Sequence, residues 1–162
     1  MAKGNEIIVS AHPQGKFNEG IISGTLKPGT QVQIQAGTAP VEGRFTYEAY
    51  NPSADNDPRE VIVLLPDPFQ GFLPTSAFVS GQRVQVYTPL PGEDINMLVK
   101  GQAGTGSANA FTIGERLSPE HGSGKLIQQS TSGNNATFQS MEHIDEVPNT
   151  DTLVWCRRAS NG

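Results

Sequence analysis

The sequence predicts an all-β fold, a small antiparallel β-barrel or sandwich with an extended N-terminal arm. Short stretches of alternating apolar and polar residues recur roughly every 10 to 15 residues, as expected for short strands. Proline and glycine are abundant, with 12 and 18 copies among 162 residues, and two Pro-Gly pairs stand beside such stretches. Between these stretches the apolar residues lack the helical spacing of about 3.6 residues.

Composition and charge limit the possible functions. The chain carries 11 basic and 16 acidic side chains, a formal net charge of -5, which opposes binding to nucleic acid phosphates. Its longest aliphatic run, residues 61–65, is far shorter than the ~20 residues of a membrane-spanning helix, and no export signal is expected. Cys156 is the single cysteine, so an intrachain disulfide is excluded and folding in a reducing cytoplasm is expected.

Residues 1–20 are predicted to form the arm, ahead of a barrel domain that spans residues 21–162. The arm contains one apolar cluster, Ile7, Ile8 and Val9. Such a segment buries too little surface to fold by itself, but it can add a strand to the edge of a partner's sheet. The alternative is an ordinary first strand of the barrel, and the residues favour the two interpretations equally.

The strands of the barrel domain follow from side chains that alternate along the sequence. Val84 and Val86 share one face, and the Pro91-Gly92 pair after them fits the central positions of a type II turn. Residues 61–65 are apolar throughout, which favours a strand covered on both faces. The other predicted strands lie at residues 31–35, 44–50, 95–99, 125–129, 135–141 and 152–158. The last of these is apolar on both faces, which predicts a central strand with Trp155 in the core.

The passage from residue 49 to residue 74 is rich in proline and interrupts this pattern. Pro66, Pro68 and Pro74 prevent regular strand pairing, because proline lacks the backbone donor that a ladder requires. Phe69 and Phe72 lie in this irregular passage. We therefore predict that they fill the core or a seam between subunits.

Motifs that would carry catalysis or metal binding are incomplete. Residues 122–125, Gly-Ser-Gly-Lys, resemble the end of a phosphate-binding loop, but Leu126 stands where Ser or Thr would bind magnesium. Residues 55–57 begin like a calcium loop that lacks its later ligands. His143 lies near Asp145, but no nucleophile motif accompanies them. The sequence therefore predicts no enzyme, no cofactor and no metal site.

Two other functions stay open at this point. Tyr47, Tyr50 and Tyr87 near barrel loops could stack on sugars, as in a carbohydrate-binding module or a tail or baseplate module. Lys100 follows a strand at a bend, as the modified lysine of a carrier domain does, although the acidic or methionine neighbours of such sites are missing.

A series of short motifs covers most of residues 20–158. They are Gly-Thr-Leu-Lys-Pro-Gly-Thr at 24–30, Gly-Gln-Arg-Val-Gln-Val at 81–86, Leu-Pro-Gly-Glu at 90–93, Gly-Glu-Arg-Leu at 114–117, Gly-Lys-Leu at 124–126, Ala-Thr-Phe-Gln-Ser-Met-Glu at 136–142 and Thr-Leu-Val-Trp-Cys-Arg at 152–157. In this order they resemble the head decoration, or capsid cement, proteins of tailed bacteriophages. Gln82 and Glu115 stand where that family is expected to have Asp, and the proline-rich passage is specific to this chain.

The resemblance implies a β-barrel that assembles as a homotrimer at three-fold or quasi-three-fold positions on the outer capsid surface of a virion. Its partner would be the major capsid protein of the phage head, and it would stabilise the shell against the pressure of packed DNA. The trimer seam would include Phe69 and Phe72. The candidate capsid contacts are Ile7, Ile8, Val9 and Phe17.

Overall fold

A computed structural model of the chain describes residues 7–8, 14–51, 60–67, 75–101, 110–129, 136–145 and 148–160. The ten regular elements in these ranges are all β-strands, which confirms the all-β fold class. They are β1 (Lys16–Ile22), β2 (Gln31–Ile34), β3 (Phe45–Ala49), β4 (Ile62–Leu64), β5 (Arg83–Thr88), β6 (Asp94–Val99), β7 (Arg116–Pro119), β8 (Leu126–Gln128), β9 (Phe138–Ser140) and β10 (Thr152–Arg158). No helix in the described ranges is long and apolar enough to cross a membrane.

The strands form two closed sheets of five, called here barrel 1 and barrel 2. Barrel 1 contains the first five strands in the spatial order β1-β3-β2-β4-β5, and barrel 2 contains the last five in the order β10-β6-β8-β7-β9. The sequence predicts one barrel, whereas the structure has two. Alternation and turn residues mark each strand separately, but they do not reveal which strands close on one another.

Each barrel contains one pair of parallel neighbours. β1 runs parallel to β3, with Gly20 opposite Phe45, and β6 runs parallel to β8 where Val99 lies opposite Leu126. A closed ring with an odd number of strands requires at least one such pair, because directions that alternate around it must repeat once. The predicted antiparallel arrangement therefore holds for eight of the ten neighbouring pairs.

β4 and its two flanking residues form the wall between the barrels. Ile62 and Leu64 point into barrel 1, whereas Val61, Val63 and Leu65 join the core of barrel 2. All five side chains are buried. A strand with apolar neighbours on both faces needs an unbroken apolar sequence, so the prediction from residues 61–65 is confirmed.

The two cores are unequal in size. The core of barrel 1 consists of Ile22, Val32, Tyr47, Ile62, Leu64, Phe78, Val84 and Val86. The core of barrel 2 consists of Ile95, Met97, Val99, Phe111, Leu117, Leu126, Phe138, Val154 and Cys156, joined by Ile7, Tyr87, Val61, Val63 and Leu65. Because the second core includes side chains from barrel 1, the two barrels form one packed unit.

Glycines at Pro-Gly turns connect the strands. The φ of 90° at Gly92 confirms the predicted Pro91-Gly92 turn. Gly29, with φ 83°, lies at the junction of the barrels, where its N–H donates to the Leu64 carbonyl and its own carbonyl accepts from the Leu98 N–H. A Cβ at Gly29 would lie 2.9 Å from Leu98 N, so this junction requires glycine.

β10 pairs with β6 on one side and with β9 on the other, but every strand of a closed sheet has two neighbours, so none of them is central. Val154 and Cys156 are buried inside barrel 2, whereas Trp155 is only partly buried. The prediction that Trp155 lies in the core is therefore wrong. Both faces of β10 are apolar, but successive side chains point to opposite faces and only the inner face is fully covered in this barrel.

Candidate interaction surfaces

The N-terminal segment contacts barrel 2 of its own chain. Ile8 forms an isolated bridge with Ile95 of β6, and the Asn96 N–H donates to the Ile7 carbonyl at 2.6 Å. The Ile7 side chain is 2% exposed and belongs to the barrel 2 core. In this conformation Ile7 offers no surface to a partner, so a capsid contact through Ile7 requires the segment to leave the barrel.

β1 begins inside the segment that the sequence assigns to the arm. It starts at Lys16, so residues 16–20 belong to barrel 1, where they pair with β5. For these residues the alternative interpretation, an ordinary first strand, describes the structure. The arm stays a prediction for residues 1–13, of which Ile7 and Ile8 are described.

A buried carboxylate attaches the start of β1 to the turn between β5 and β6. Glu93 is 8% exposed, and its Oε1 accepts from the Gln14 N–H at 2.5 Å. Its Oε2 accepts from the Tyr87 hydroxyl and the Leu90 N–H, both at 2.7 Å. The Tyr87 hydroxyl in turn accepts from the Gly15 N–H at 2.9 Å. These five residues are called the polar anchor below.

The polar anchor shifts the pKa of both of its titratable groups. Burial raises the pKa of Glu93, but the hydrogen bonds from Gln14, Tyr87 and Leu90 outweigh it and lower that pKa below its ordinary value. Burial, together with the hydrogen bond to Glu93, raises the pKa of Tyr87 to about 12. At neutral pH the carboxylate is therefore charged and the phenol keeps its proton, which gives each donor of the anchor an acceptor.

Two glycines allow β1 to lie against aromatic rings. A Cβ on Gly15 would lie 2.2 Å from the Thr88 carbonyl oxygen and 2.6 Å from the Tyr87 ring. A Cβ on Gly20 would lie 2.2 Å from the Tyr47 ring inside barrel 1. Neither position has room for a larger residue, so both glycines fix the path of β1.

Exposed apolar side chains are candidates for contact with partners. Phe17 is 56% exposed, and its ring centroid lies 4.7 Å from that of Tyr87. The other exposed large apolar residues that the structure describes are Ile34, Val41, Phe45, Val79, Leu90 and Ile113. Phe17 is thus the one exposed residue among the described capsid-contact candidates, because Ile7 is buried and Ile8 is partly buried.

Three predicted site residues are not among those that the structure describes. Val9, Phe69 and Phe72 lie outside the described residues. Their predicted roles, in capsid contact for Val9 and in the trimer seam for the two phenylalanines, stay predictions.

The segment that resembles a phosphate-binding loop has its backbone amides already in use. The Gly122 N–H donates to the Tyr50 carbonyl at 3.3 Å, and the Gly124 N–H donates to the Glu120 carbonyl at 3.1 Å. The Lys125 ammonium pairs with Asp151 at 2.7 Å. Because amides and ammonium have partners within the chain, this segment serves as a structural turn.

Outside the polar anchor, several described titratable groups form ion pairs at the surface. His143 Nε2 lies 2.7 Å from Asp145 Oδ1 on an exposed loop, and Lys100 pairs with Glu120. Burial raises the pKa of the Cys156 thiol, which therefore stays protonated. Within the described ranges no three His, Cys, Asp or Glu residues are placed to hold a metal ion.

The three tyrosines considered for sugar binding are not at the surface. Tyr47 and Tyr87 are buried in the two cores, and Tyr50 is buried as well. Tyr50 does follow the end of β3, but buried rings offer no face to a sugar, so the prediction that these tyrosines stack on sugars is wrong. Tyr47 alternates with Thr46 and Glu48 along β3, but its ring takes the covered face of the strand.

No family model and no curated protein matches this chain. A solved structure shares the fold over nearly the whole chain. It is the head fiber gp8.5 N base of bacteriophage phi29, aligned over 92% of this chain and 97% of that chain with a TM-score of 0.53. The sequence identity is 9%, so the likeness shows a common fold and no more.

Proposed function

We propose that this chain is a structural protein of a bacteriophage head, bound to the outer surface of the shell as a capsid decoration or cement protein. The observation that carries the proposal is the likeness in fold to a phage head fiber base, which extends over almost all of both chains. The ordered motifs of the sequence support the same assignment through their resemblance to head decoration proteins.

In this role the protein acts through contacts and has no catalytic step or cofactor. Its partner is the major capsid protein, and a homotrimer would sit at three-fold or quasi-three-fold positions. Three linked contacts bind far more tightly than one, because the second and third are effectively intramolecular. A protein that binds the intact shell stabilises it by mass action against internal DNA pressure.

The surface of the chain agrees with a place outside the packed DNA. The formal net charge of -5 disfavours contact with nucleic acid. Exposed Phe17 lies beside the polar anchor, where the N-terminal segment enters barrel 1. We therefore take Phe17 as the first residue to test for capsid contact.

Binding to heads that lack the protein tests the proposal directly. The purified chain should bind such heads at a saturating stoichiometry and raise the temperature at which they release DNA. Phe17→Ser should weaken binding, whereas Ile113→Ser, at another exposed apolar residue, serves as the matched control. Heads that neither bind the chain nor gain heat resistance would contradict the proposal.

The homotrimer is tested separately, by light scattering of the purified chain. The expected mass is about three times the 17.3 kDa of one chain. A mass of one chain at all concentrations would contradict the trimer, but it would leave attachment to the head as an independent result.

A second candidate function is the base of a head fiber. The likeness covers 97% of the phi29 fiber base, so the two barrels match that base as a unit. Electron microscopy of decorated heads distinguishes the two functions, since a fiber base projects a further protein from the capsid surface and a cement protein does not.

A further inference from the structure

We propose that barrel 1 accepts an added β-strand from a partner polypeptide beside the first half of β1. Two features form the site: a stretch of β1 backbone that no described strand pairs on its β3 side, and a groove of mixed polar and apolar lining next to it. Pairing with the edge requires the partner backbone to be extended, and the groove selects which types of side chain the partner carries.

The backbone of β1 alternates between two neighbours. The Ile22 N–H donates to the Gln82 carbonyl on the β5 side, whereas the Ser23 N–H donates to the Tyr47 carbonyl of β3. Backbone groups in a strand alternate in direction, so even-numbered residues of β1 face β5 and odd-numbered residues face the β3 side.

β3 is too short to cover the start of β1. It begins at Phe45, opposite Gly20, because the chain reverses in a tight turn at residues 42–43, where both φ angles are positive. The N–H groups of Phe17 and Glu19 face this side, and no described strand pairs with β1 there. An open edge of this kind can accept an extended strand.

A groove of about 490 Å³ lies beside this edge, at one mouth of barrel 1, and its lining is partly polar and partly apolar. Buried Tyr47 and Ile62 and exposed Ile34 and Phe45 provide its apolar lining. Successive side chains of a strand point to opposite faces, so an added strand would direct every second side chain into the groove. The groove therefore favours a strand with apolar residues at alternate positions.

The rim of the groove carries an excess of carboxylates. The Arg44 guanidinium lies 3.5 Å from Glu19 and 2.9 Å from Glu42, and the Arg83 guanidinium lies 3.6 Å from Glu42, so these two carboxylates are balanced by two cations. Glu60 also lines the groove, and no described residue forms an ion pair with it. Charge complementarity favours a partner strand that carries Lys or Arg.

The inference deepens the proposed function and rests on it for the source of the strand, since in a phage head that strand would come from a neighbouring subunit. Strand binding itself can be measured on the isolated chain. A failure there would overturn the strand site and leave attachment to heads untouched, whereas a failure with heads would not affect the peptide result.

The probe is a capped hexapeptide, Lys-Val-Thr-Val-Thr-Val, titrated into isotope-labelled protein and followed by NMR. The largest amide shifts are expected at Phe17, Glu19 and the groove residues, with a Kd on the order of 0.1–1 mM. Exchange of the peptide Lys for Glu should weaken binding about two- to fivefold. No binding, or shifts centred away from β1, would overturn the proposal.

A proline substitution isolates the contribution of the open edge. Glu19→Pro removes an N–H that faces the partner and leaves the β1–β5 ladder intact, and it should weaken peptide binding about tenfold. Glu19→Ala keeps that N–H and is the matched control, with binding expected within about twofold of the unaltered chain. Equal binding by the two variants would overturn the proposal.

A second measurement covers the case in which Glu19→Pro does not fold. Two peptides, methylated at odd or at even backbone nitrogens, are titrated into the unaltered chain, and one of them should bind about tenfold more weakly. If both bind like the parent peptide, backbone pairing is wrong. If the peptide dissociates an oligomer of the chain, the natural occupant is a second copy, and the assignment to a different partner is overturned.

Discussion

Replacement of Glu93 by glutamine tests whether the polar anchor stabilises the fold. Glutamine has the same shape, but it offers one carbonyl oxygen in place of two carboxylate oxygens, so at least one of the three donors loses its acceptor. A hydrogen bond to a charged group contributes about 1.5–3 kcal/mol. Because a donor released at the edge of the anchor can reach water, we expect the free energy of unfolding to fall by about 2–4 kcal/mol in total.

Urea-induced unfolding measures this change. Trp155 is the only tryptophan of the chain and is partly buried in β10, so its fluorescence reports on barrel 2. Amide hydrogen exchange adds a local measurement at Asn96, whose N–H is bonded to the Ile7 carbonyl. If the anchor positions the N-terminal segment, this amide should exchange faster in Glu93→Gln than in the unaltered chain.

The dependence on pH gives a second check with a defined sign. The pKa of Glu93 is lowered in the folded chain, so its contribution to stability is fully present above the ordinary pKa of 4.5 and is lost as pH falls through the lower, folded value. Stability below pH 4.5 should therefore decline less steeply in Glu93→Gln than in the unaltered chain.

Asp94→Asn is the matched control for these measurements. Asp94 lies next in sequence and pairs with Arg157 at 2.7 Å on the partly exposed side of β6, so the change should cost less than about 1 kcal/mol. The reasoning is refuted if Glu93→Gln lies within about 0.5 kcal/mol of the unaltered chain, or if both variants have the same acid profile.

Three further substitutions test other parts of the fold, each by urea-induced unfolding. Gly15→Ala should lower the free energy of unfolding by about 2–4 kcal/mol, since its Cβ would lie 2.2 Å from the Thr88 carbonyl oxygen. A loss below about 0.5 kcal/mol would show that the backbone before β1 shifts to make room for the Cβ. Glu42→Asn should be more stable than Glu42→Gln by about 0.5–1 kcal/mol, because φ is 51° there and asparagine tolerates that conformation better, while both variants lose the ion pairs with Arg44 and Arg83; equal stability of the two variants would contradict this. Val63→Ala should cost about 1–3 kcal/mol in one cooperative transition, and two separate transitions would show that the barrels unfold independently.

The sequence reveals those features that depend on a few adjacent residues. The wall strand at residues 61–65 is visible because burial on both faces demands an unbroken apolar run. The turn at Gly92 is visible because a positive φ selects glycine. In both cases the cause lies within the segment itself, so no knowledge of distant neighbours is needed.

Pairings between segments that are distant in the chain produce no local sequence pattern that would reveal them. β1 and β3 lie side by side in parallel, and the closed sheets depend on that contact, yet neither strand differs in sequence from an antiparallel one. The burial of Tyr87 likewise depends on barrel 2, which follows it in the chain. The number of barrels and the wrong placement of the tyrosines have this common cause.

The polar anchor shows the same limit for a candidate site. Glu93 is one of 16 acidic residues, and its donor Gln14 lies 79 positions away in the sequence. One local signal exists, since a carboxylate directly after a Pro-Gly turn can accept from the turn's own backbone, as it does here from Leu90. That signal predicts a capped turn but gives no sign of the N-terminal segment.

The wall between the barrels has a consequence for biosynthesis. The five strands of barrel 1 are contiguous, so this half of the chain can close once β5 has left the ribosome. At that moment Val61, Val63, Leu65 and Tyr87 still face water, because the strands that cover them have yet to emerge from the ribosome. A truncated product that ends near residue 90 would therefore expose these apolar side chains, which would make it prone to aggregate and a substrate for chaperones. We therefore expect a gene shortened to barrel 1 to yield a product that aggregates more readily than the full chain.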